Sequence, residues 1–175
     1  ARCWRIQRKR ARLRAKMPEP AVHPSSIVEA GAKLGDGVRI GPFCVVGPDV
    51  ELGDGVELVS HVAVHGTTTV GARTRIFPFA SIGHQPQDLK YAGEPSTLVI
   101  GERCVIRENV TINPGTRAGG METRVGNDCL LMASAHVAHD CKVGNNVVLA
   151  NYVGLAGHSV IGDYVAFGGM CAVHQ

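Results

Sequence analysis

Four histidines gather in the last part of the sequence. His136 and His139 flank Val137 in Ala-His-Val-Ala-His-Asp, His158 follows His139 by 19 residues, and His174 follows His158 by 16. Imidazole changes charge near neutral pH, so a histidine oriented by a carboxylate is a good general base for a hydroxyl group. Asp140, directly after His139, offers that carboxylate. A group of titratable side chains is more often a functional site than decoration. A second concentration of polar residues spans 84–97 (HQPQDLKYAGEPST), where Gln87, Asp88, Lys90 and Tyr91 fall close together. His23, His61 and His65 have no comparable company and read as solvated surface residues.

The elements that hold these residues follow from a period of six. Aliphatic residues recur from Val22, Val28, Leu34 and Ile40 through to Ile76 and Ile82, resume at Ile100, Ile106 and Ile112, and resume again from Val125 to Ile161, Phe167 and Val173. Neither a helix, with period 3.6, nor a plain strand, with period 2, yields a strict six. A hexapeptide repeat marks a parallel β-helix, in which each hexad is one short side of a coil. Four residues after each aliphatic comes a small or β-branched residue (Val38, Cys44, Val50, Thr68, Cys104, Cys129, Cys141) that fits a tight inward slot. Glycine often follows the aliphatic directly, which suggests corners with positive φ at that position. Three hexads make an 18-residue coil, so the chain should form seven to eight coils, a prism roughly 35 Å long at strand spacing. Spacing does not give the hand of the coil. His139, His158 and His174, at near-coil intervals, should stack along one edge, with His136 beside them.

Composition supports a thin prism. Aromatics are 5% of the 175 residues and glycines number 22, poor material for a globular core. The net charge of +3 misleads, because residues 1–16 hold eight Lys/Arg and no acid. The remainder carries ten Lys/Arg against fifteen Asp/Glu, a balance of −5, so the fold itself offers no basic face for nucleic acid. Residues 1–16 read as a disordered basic extension, with the folded domain over 17–175; the favoured reading is that Met17 is the natural start and 1–16 lies upstream of it, with an arm for nucleic acid or anionic lipid and an organelle transit peptide as alternatives. No apolar run is long enough for a membrane span or a signal sequence, so no stable membrane insertion is expected. Five of the six cysteines occupy the inward slot and read as small buried thiols, which fits a reducing, cytoplasmic setting.

Two interruptions break the period. Between Ile82 and Ile100 the phase survives, yet Asp88 and Glu94 stand in aliphatic slots. A coil would not bury two unpartnered carboxylates, so 84–97 should leave it as a loop, and loops on rigid scaffolds carry binding groups. The second interruption adds seven residues between Ile112 and Val125, giving a loop near 117–123. Its glycines do not make a phosphate-binding loop, since neither Lys-Ser/Thr nor a helical pattern follows.

The sequence resembles the UDP-N-acetylglucosamine O-acyltransferases over residues 17–175. The carriers are His-Pro-Ser-Ser-Ile-Val-Glu at 23–29, Ile-Gly-Pro-Phe-Cys-Val-Val-Gly-Pro at 40–48, Gln-Asp-Leu-Lys-Tyr-Ala-Gly-Glu-Pro at 87–95 and Ile-Arg-Glu-Asn-Val-Thr-Ile-Asn at 106–113. The most specific are Ala-His-Val-Ala-His-Asp-Cys at 135–141, Leu-Ala-Gly-His at 155–158 and Gly-Gly-Met-Cys-Ala-Val-His-Gln at 168–175. The resemblance implies a left-handed parallel β-helix, assembled as a homotrimer with active sites between subunits. It implies transfer of an (R)-3-hydroxyacyl chain from acyl carrier protein to the 3-hydroxyl of UDP-N-acetylglucosamine, the first step of lipid A synthesis. His139 then matches the general base, Asp140 its support, and the Gly157 N–H the oxyanion donor. His136, His158, His174 and Gln175 match substrate-contacting positions, as do Gln87, Asp88 and Lys90 of the loop. No metal or organic cofactor is implied.

Position 113, where many members carry histidine, is Asn113. The sequence stops at Gln175, where the family continues with more coils and a helical C-terminal domain, so the resemblance implies an incomplete enzyme that is weakly active or inactive and associates through its open end. Competing readings are the N-acyltransferase acting two steps later, a γ-type carbonic anhydrase with zinc on three histidines, and a non-catalytic scaffold.

Overall fold

In the computed structural model, residues 19–175 are described; the basic extension expected at 1–16 lies outside them. Twenty-three short strands run from Ala21–Val22 to Ala172–Val173, and each ends on the aliphatic residue of one hexad. They form three parallel sheets of eight, eight and seven strands. Every third strand joins the same sheet, so the three flat sides of a prism are built in rotation, in the seven to eight coils that the period implies. The first sheet begins with Ala21–Val22, the second with Ile27–Val28 and the third with Lys33–Leu34.

Register follows the period. Val22 pairs with Ile40 and Val137 with Leu155, eighteen residues apart. In the third sheet Val70 pairs with Ile100, thirty apart, so two whole hexads leave the coil between Ile82 and Ile100. Because whole hexads leave, the phase is preserved across the break. Ile100 then pairs with Val125, twenty-five apart, which accounts for the seven-residue second insertion.

The aliphatic residues fill the centre of the prism. Ile76, Ile106, Leu131 and Leu149 stack along the first sheet with no exposed surface, each contributing about 1.5–3 kcal/mol of burial. The small slots are inward as expected, and Cys44, Cys104, Cys129 and Cys141 are buried free thiols; Cys171, in the last coil, is exposed.

One expectation about the corners fails. Of the glycines that directly follow an aliphatic residue, Gly83 alone has positive φ; the left-handed position is the third residue after the aliphatic, held by Phe43, His61, Asp140, His158 and ten further side chains at the same hexad position. Most of the directly following glycines are required by stacking instead, though a Cβ on Gly162 or Gly168 would meet nothing within 4 Å. A Cβ on Gly41 would lie 1.8 Å from the Val59 carbonyl oxygen of the next coil, and one on Gly126 would lie 2.4 Å from the Gly144 carbonyl.

The reading of two histidines as lacking company is also corrected, although His61 is exposed, as read. His61 lies between the rings of Phe43 and Phe79, at 4.9 and 5.2 Å, because these corner residues stack from coil to coil. His65 faces His84 at 4.3 Å. His23 is exposed and meets only Ser25.

Candidate active site

The histidine edge lies on the second sheet and the corner that follows it. His136 is in the strand His136–Val137, which pairs with Gly154–Leu155, and that strand pairs with Ala172–Val173. This register sets His139 level with Gly157 and Asp140 level with His158, one coil on. Asp140 and His158 are both third residues after an aliphatic, with φ of 61° and 62°. Asp and His are among the side chains that tolerate this left-handed region best.

Asp140 is the most constrained side chain of the group. Its carboxylate is wholly buried. Oδ1 accepts the Thr116 backbone N–H at 2.8 Å, and Oδ2 accepts the Thr116 hydroxyl at 2.5 Å. Its own N–H donates to Thr123 Oγ1 at 2.7 Å. His139 Nδ1 lies 2.9 Å from Asp140 Oδ2. A carboxylate only accepts, so Nδ1 carries the proton and Nε2 presents a lone pair. His139 keeps 15% of its side chain exposed, enough for a substrate to reach it. His158 meets it edge to face at 5.1 Å, with its Nδ1 4.0 Å from Asp140 Oδ2.

Gly157 lies against the His139 ring. A Cβ there would come within 2.5 Å of Cε1 and 2.6 Å of Nε2. Among the described residues no backbone carbonyl accepts the Gly157 N–H. A base and a free N–H donor thus sit side by side, the pair of groups that acyl transfer requires.

His136 is half-buried, with Nδ1 2.7 Å from the Thr111 hydroxyl. Burial, reinforced by nearby His139, pushes its pKa below the ordinary imidazole value of 6.5. His84 is shifted the same way by burial and by His65. Between the folded and unfolded values the unfolded chain binds more protons, so stability rises with pH through that window and falls as pH drops below about 6.5. Urea midpoints measured from pH 8 to pH 5 should therefore decline, with a shallower decline in His136→Gln. Identical slopes in the two proteins would contradict the assignment to His136.

The first inserted segment, between the strands Ser81–Ile82 and Thr97–Ile100, lies outside the coil. Asp88 Oδ1 accepts the Lys90 N–H at 3.0 Å, and Lys90 and Gln87 are exposed. Asp88 and Lys90 line a cavity of about 330 Å³ together with Glu94, Thr116, Arg117 and Ala118. Thr116 is the residue that holds Asp140, so this loop wall and the Asp140 corner share a residue. Glu94, which a coil could not bury without partners, is buried in the loop with partners. Its two oxygens accept N–H groups from Ala92 and Arg117. Asn113, also buried, donates its amide to the carbonyls of His84 and Gln85 at the root of the loop. His174 and Gln175 follow the last strand and are exposed, with no hydrogen bond to the His139 group among the described residues.

Three residues that build this site were not singled out in the sequence: Thr116, Gly119 and Thr123. Gly119 ends a 3₁₀ turn, Arg117–Gly119, that covers the Asp140 carboxylate; a Cβ there would fall 1.9 Å from Asp140 Cγ. The signal for the threonines was available, since both occupy inward slots where a hydroxyl needs a partner. The contact of Gly119 spans 21 residues and a loop, and no periodic pattern encodes it.

A zinc site on three histidines fits poorly. The described residues bring together His139, Asp140 and His158, with potential ligand atoms within 4.8 Å of one another. Both Asp140 oxygens are already engaged by Thr116 and His139, and His139 turns its Nδ1–H to that carboxylate. His136 is bound to Thr111 and lies outside the group.

Known proteins resemble this chain in sequence and fold. The family model for the bacterial transferase hexapeptide (six repeats) matches residues 31–66 and 122–157. A solved UDP-N-acetylglucosamine acyltransferase is 52% identical over 88% of this chain and 60% of its own, with a TM-score of 0.87. The UDP-N-acetylglucosamine O-acyltransferase (LpxA) of Moraxella catarrhalis RH4 is 46% identical over 88% of this chain and 60% of its own, with a TM-score of 0.86. The LpxA of Bacteroides fragilis 9343, a UDP-N-acetylglucosamine acyltransferase, is 34% identical over 88% of this chain and 67% of its own, with a TM-score of 0.75. The chain spans about three fifths of the length of the first two. With these similarities the hand of the coil is the one the resemblance implied, a left-handed parallel β-helix.

Proposed function

The chain belongs to the UDP-N-acetylglucosamine acyltransferase family, and on that footing we propose that it transfers an (R)-3-hydroxyacyl group from acyl carrier protein to the 3-hydroxyl of UDP-N-acetylglucosamine, the first step of lipid A synthesis. The observation that carries this reading is the Asp140-held His139 lying against Gly157. His139 Nε2 takes the proton of the sugar hydroxyl as its oxygen attacks the thioester carbonyl. The Gly157 N–H donates to the oxyanion of the tetrahedral intermediate. Collapse of that intermediate breaks the C–S bond, and the imidazolium returns its proton to the departing thiolate, so base and acid are one residue.

The remaining residues bind. His136, His158, His174 and Gln175 border the edge along which the sugar nucleotide and acyl chain run. Gln87, Asp88 and Lys90 reach them from the loop. Direct attack on a thioester needs a base and an oxyanion donor, both supplied by this chain, without a metal or organic cofactor. We place the protein in the cytoplasm as a homotrimer, with its substrates between subunits; no helix among the described residues is long and apolar enough to cross a membrane.

The test is direct. Purified protein is incubated with UDP-N-acetylglucosamine and (R)-3-hydroxyacyl carrier proteins of several chain lengths, and the sugar nucleotide is followed by mass spectrometry. A gain of one hydroxyacyl group, absent with glucosamine-free UDP-sugars, supports the proposal. Because the resemblance implies weak transfer at most, the enzyme is used in stoichiometric amounts, where a single turnover registers, and no acylation with any chain length under those conditions would overturn the proposal.

A further inference from the structure

We propose that Glu94 is a positioning residue for the catalytic base, acting through the turn that clamps Asp140. This rests on the reading of His139 as that base. The carboxylate of Glu94 is buried yet faces no side-chain cation at bonding distance. Its Oε2 accepts the Ala92 N–H at 2.9 Å within its own loop, and its Oε1 accepts the Arg117 N–H at 3.0 Å across to the second inserted loop. The Glu94 carbonyl is itself fixed, accepting the Tyr91 hydroxyl at 3.2 Å and the Ser96 N–H at 2.8 Å. Glu94 is therefore a clasp between the two loops.

What the clasp fixes is the start of the turn Arg117–Gly119. The residue before that turn, Thr116, gives both its N–H and its hydroxyl to Asp140, and the residue that ends it, Gly119, lies on the same carboxylate. Asp140 in turn bonds His139 Nδ1. Four successive contacts thus connect Glu94 to the imidazole: Glu94 to Arg117, Arg117 to Thr116 by the peptide bond, Thr116 to Asp140, and Asp140 to His139. The turn is short, has no side-chain cap on its N-terminal flank, and carries no buried residue of its own, so beyond the Asp140 contacts and the Gly119 and Met121 N–H bonds to the Thr116 carbonyl, the Glu94 bond is what fixes its first residue. The two N–H groups also hold the Glu94 carboxyl below its usual range, the Arg117 bond first, as expected for an ionised acceptor. The acid faces the same cavity as Asp88 and Lys90, which places the clasp between the substrate loop and the base.

The experiment uses the full chain labelled with ¹⁵N-histidine, with His139 signals assigned by their loss in His139→Gln. In the wild type His139 should be held as the Nδ1–H tautomer. In Glu94→Ala it should become a mixture of the two tautomers, and kcat should fall about tenfold, in the range seen when a reacting group is misplaced, while KM for the sugar nucleotide stays within about twofold. Glu94→Gln, which keeps the size of the side chain and one acceptor oxygen, should lie between the two, and it decides the matter if the alanine variant does not fold. An unchanged His139 tautomer in the folded variants, or a loss confined to KM, would reduce Glu94 to a loop anchor and overturn the proposal. If the wild type shows no acyl transfer, the functional reading fails, yet the tautomer measurement still judges the clasp.

Discussion

His139→Ala should abolish acyl transfer while leaving the prism intact. A positioned general base contributes about 10²–10⁴-fold, and no second group stands ready to replace this one. His158 is the nearest imidazole, but its Nδ1 is 4.0 Å from Asp140, too far for the hydrogen bond that fixes the tautomer of His139. The fold should tolerate the change because the His139 side chain lies on the corner, outside the stack of aliphatic residues that fills each coil. Initial rates under saturating substrate, paired with a thermal unfolding curve, separate the two effects. A variant that retains more than about a tenth of the wild-type kcat would remove His139 from the reaction.

Gly157→Ala should be nearly as damaging, for a steric reason. The added methyl would sit 2.5 Å from His139 Cε1 and 2.6 Å from Nε2, closer than carbon and nitrogen can approach. The imidazole must then swing off Asp140, or the Gly157 N–H must leave the place where an oxyanion would form. Either displacement costs on the order of 10²–10³-fold, the scale of losing one oxyanion donor or of misplacing a reacting group by an ångström. Gly154→Ala is the control. It lies three residues earlier on the same edge, and a Cβ there meets nothing within 4 Å. Equal activity in the two variants would refute the packing of Gly157 on the base.

How much of this was legible beforehand depends on the range of each interaction. The strands, their register and the inward thiols follow from a six-residue period, because each coil repeats the environment of the one before it. The gathering of His139, Asp140 and His158 follows too, since near-coil spacing stacks residues on one edge. The role of the glycines after each aliphatic did not: their backbone is ordinary, and the need for glycine arises from the next coil's carbonyl, which becomes visible once the coils are stacked. The partners of Glu94 were not legible for a related reason. A carboxylate is costly to bury without donors, but its donors are backbone N–H groups, and every sequence has those everywhere.

The sequence alone therefore determined the prism, the loops that leave it, and the edge on which the imidazoles stand, because these depend on periodicity and on side-chain type. The tertiary structure decided which of those residues are held and by what. Thr116, Thr123 and Gly119 enclose Asp140 by contacts that begin in or cross the second insertion, and insertions carry no period from which a partner could be read.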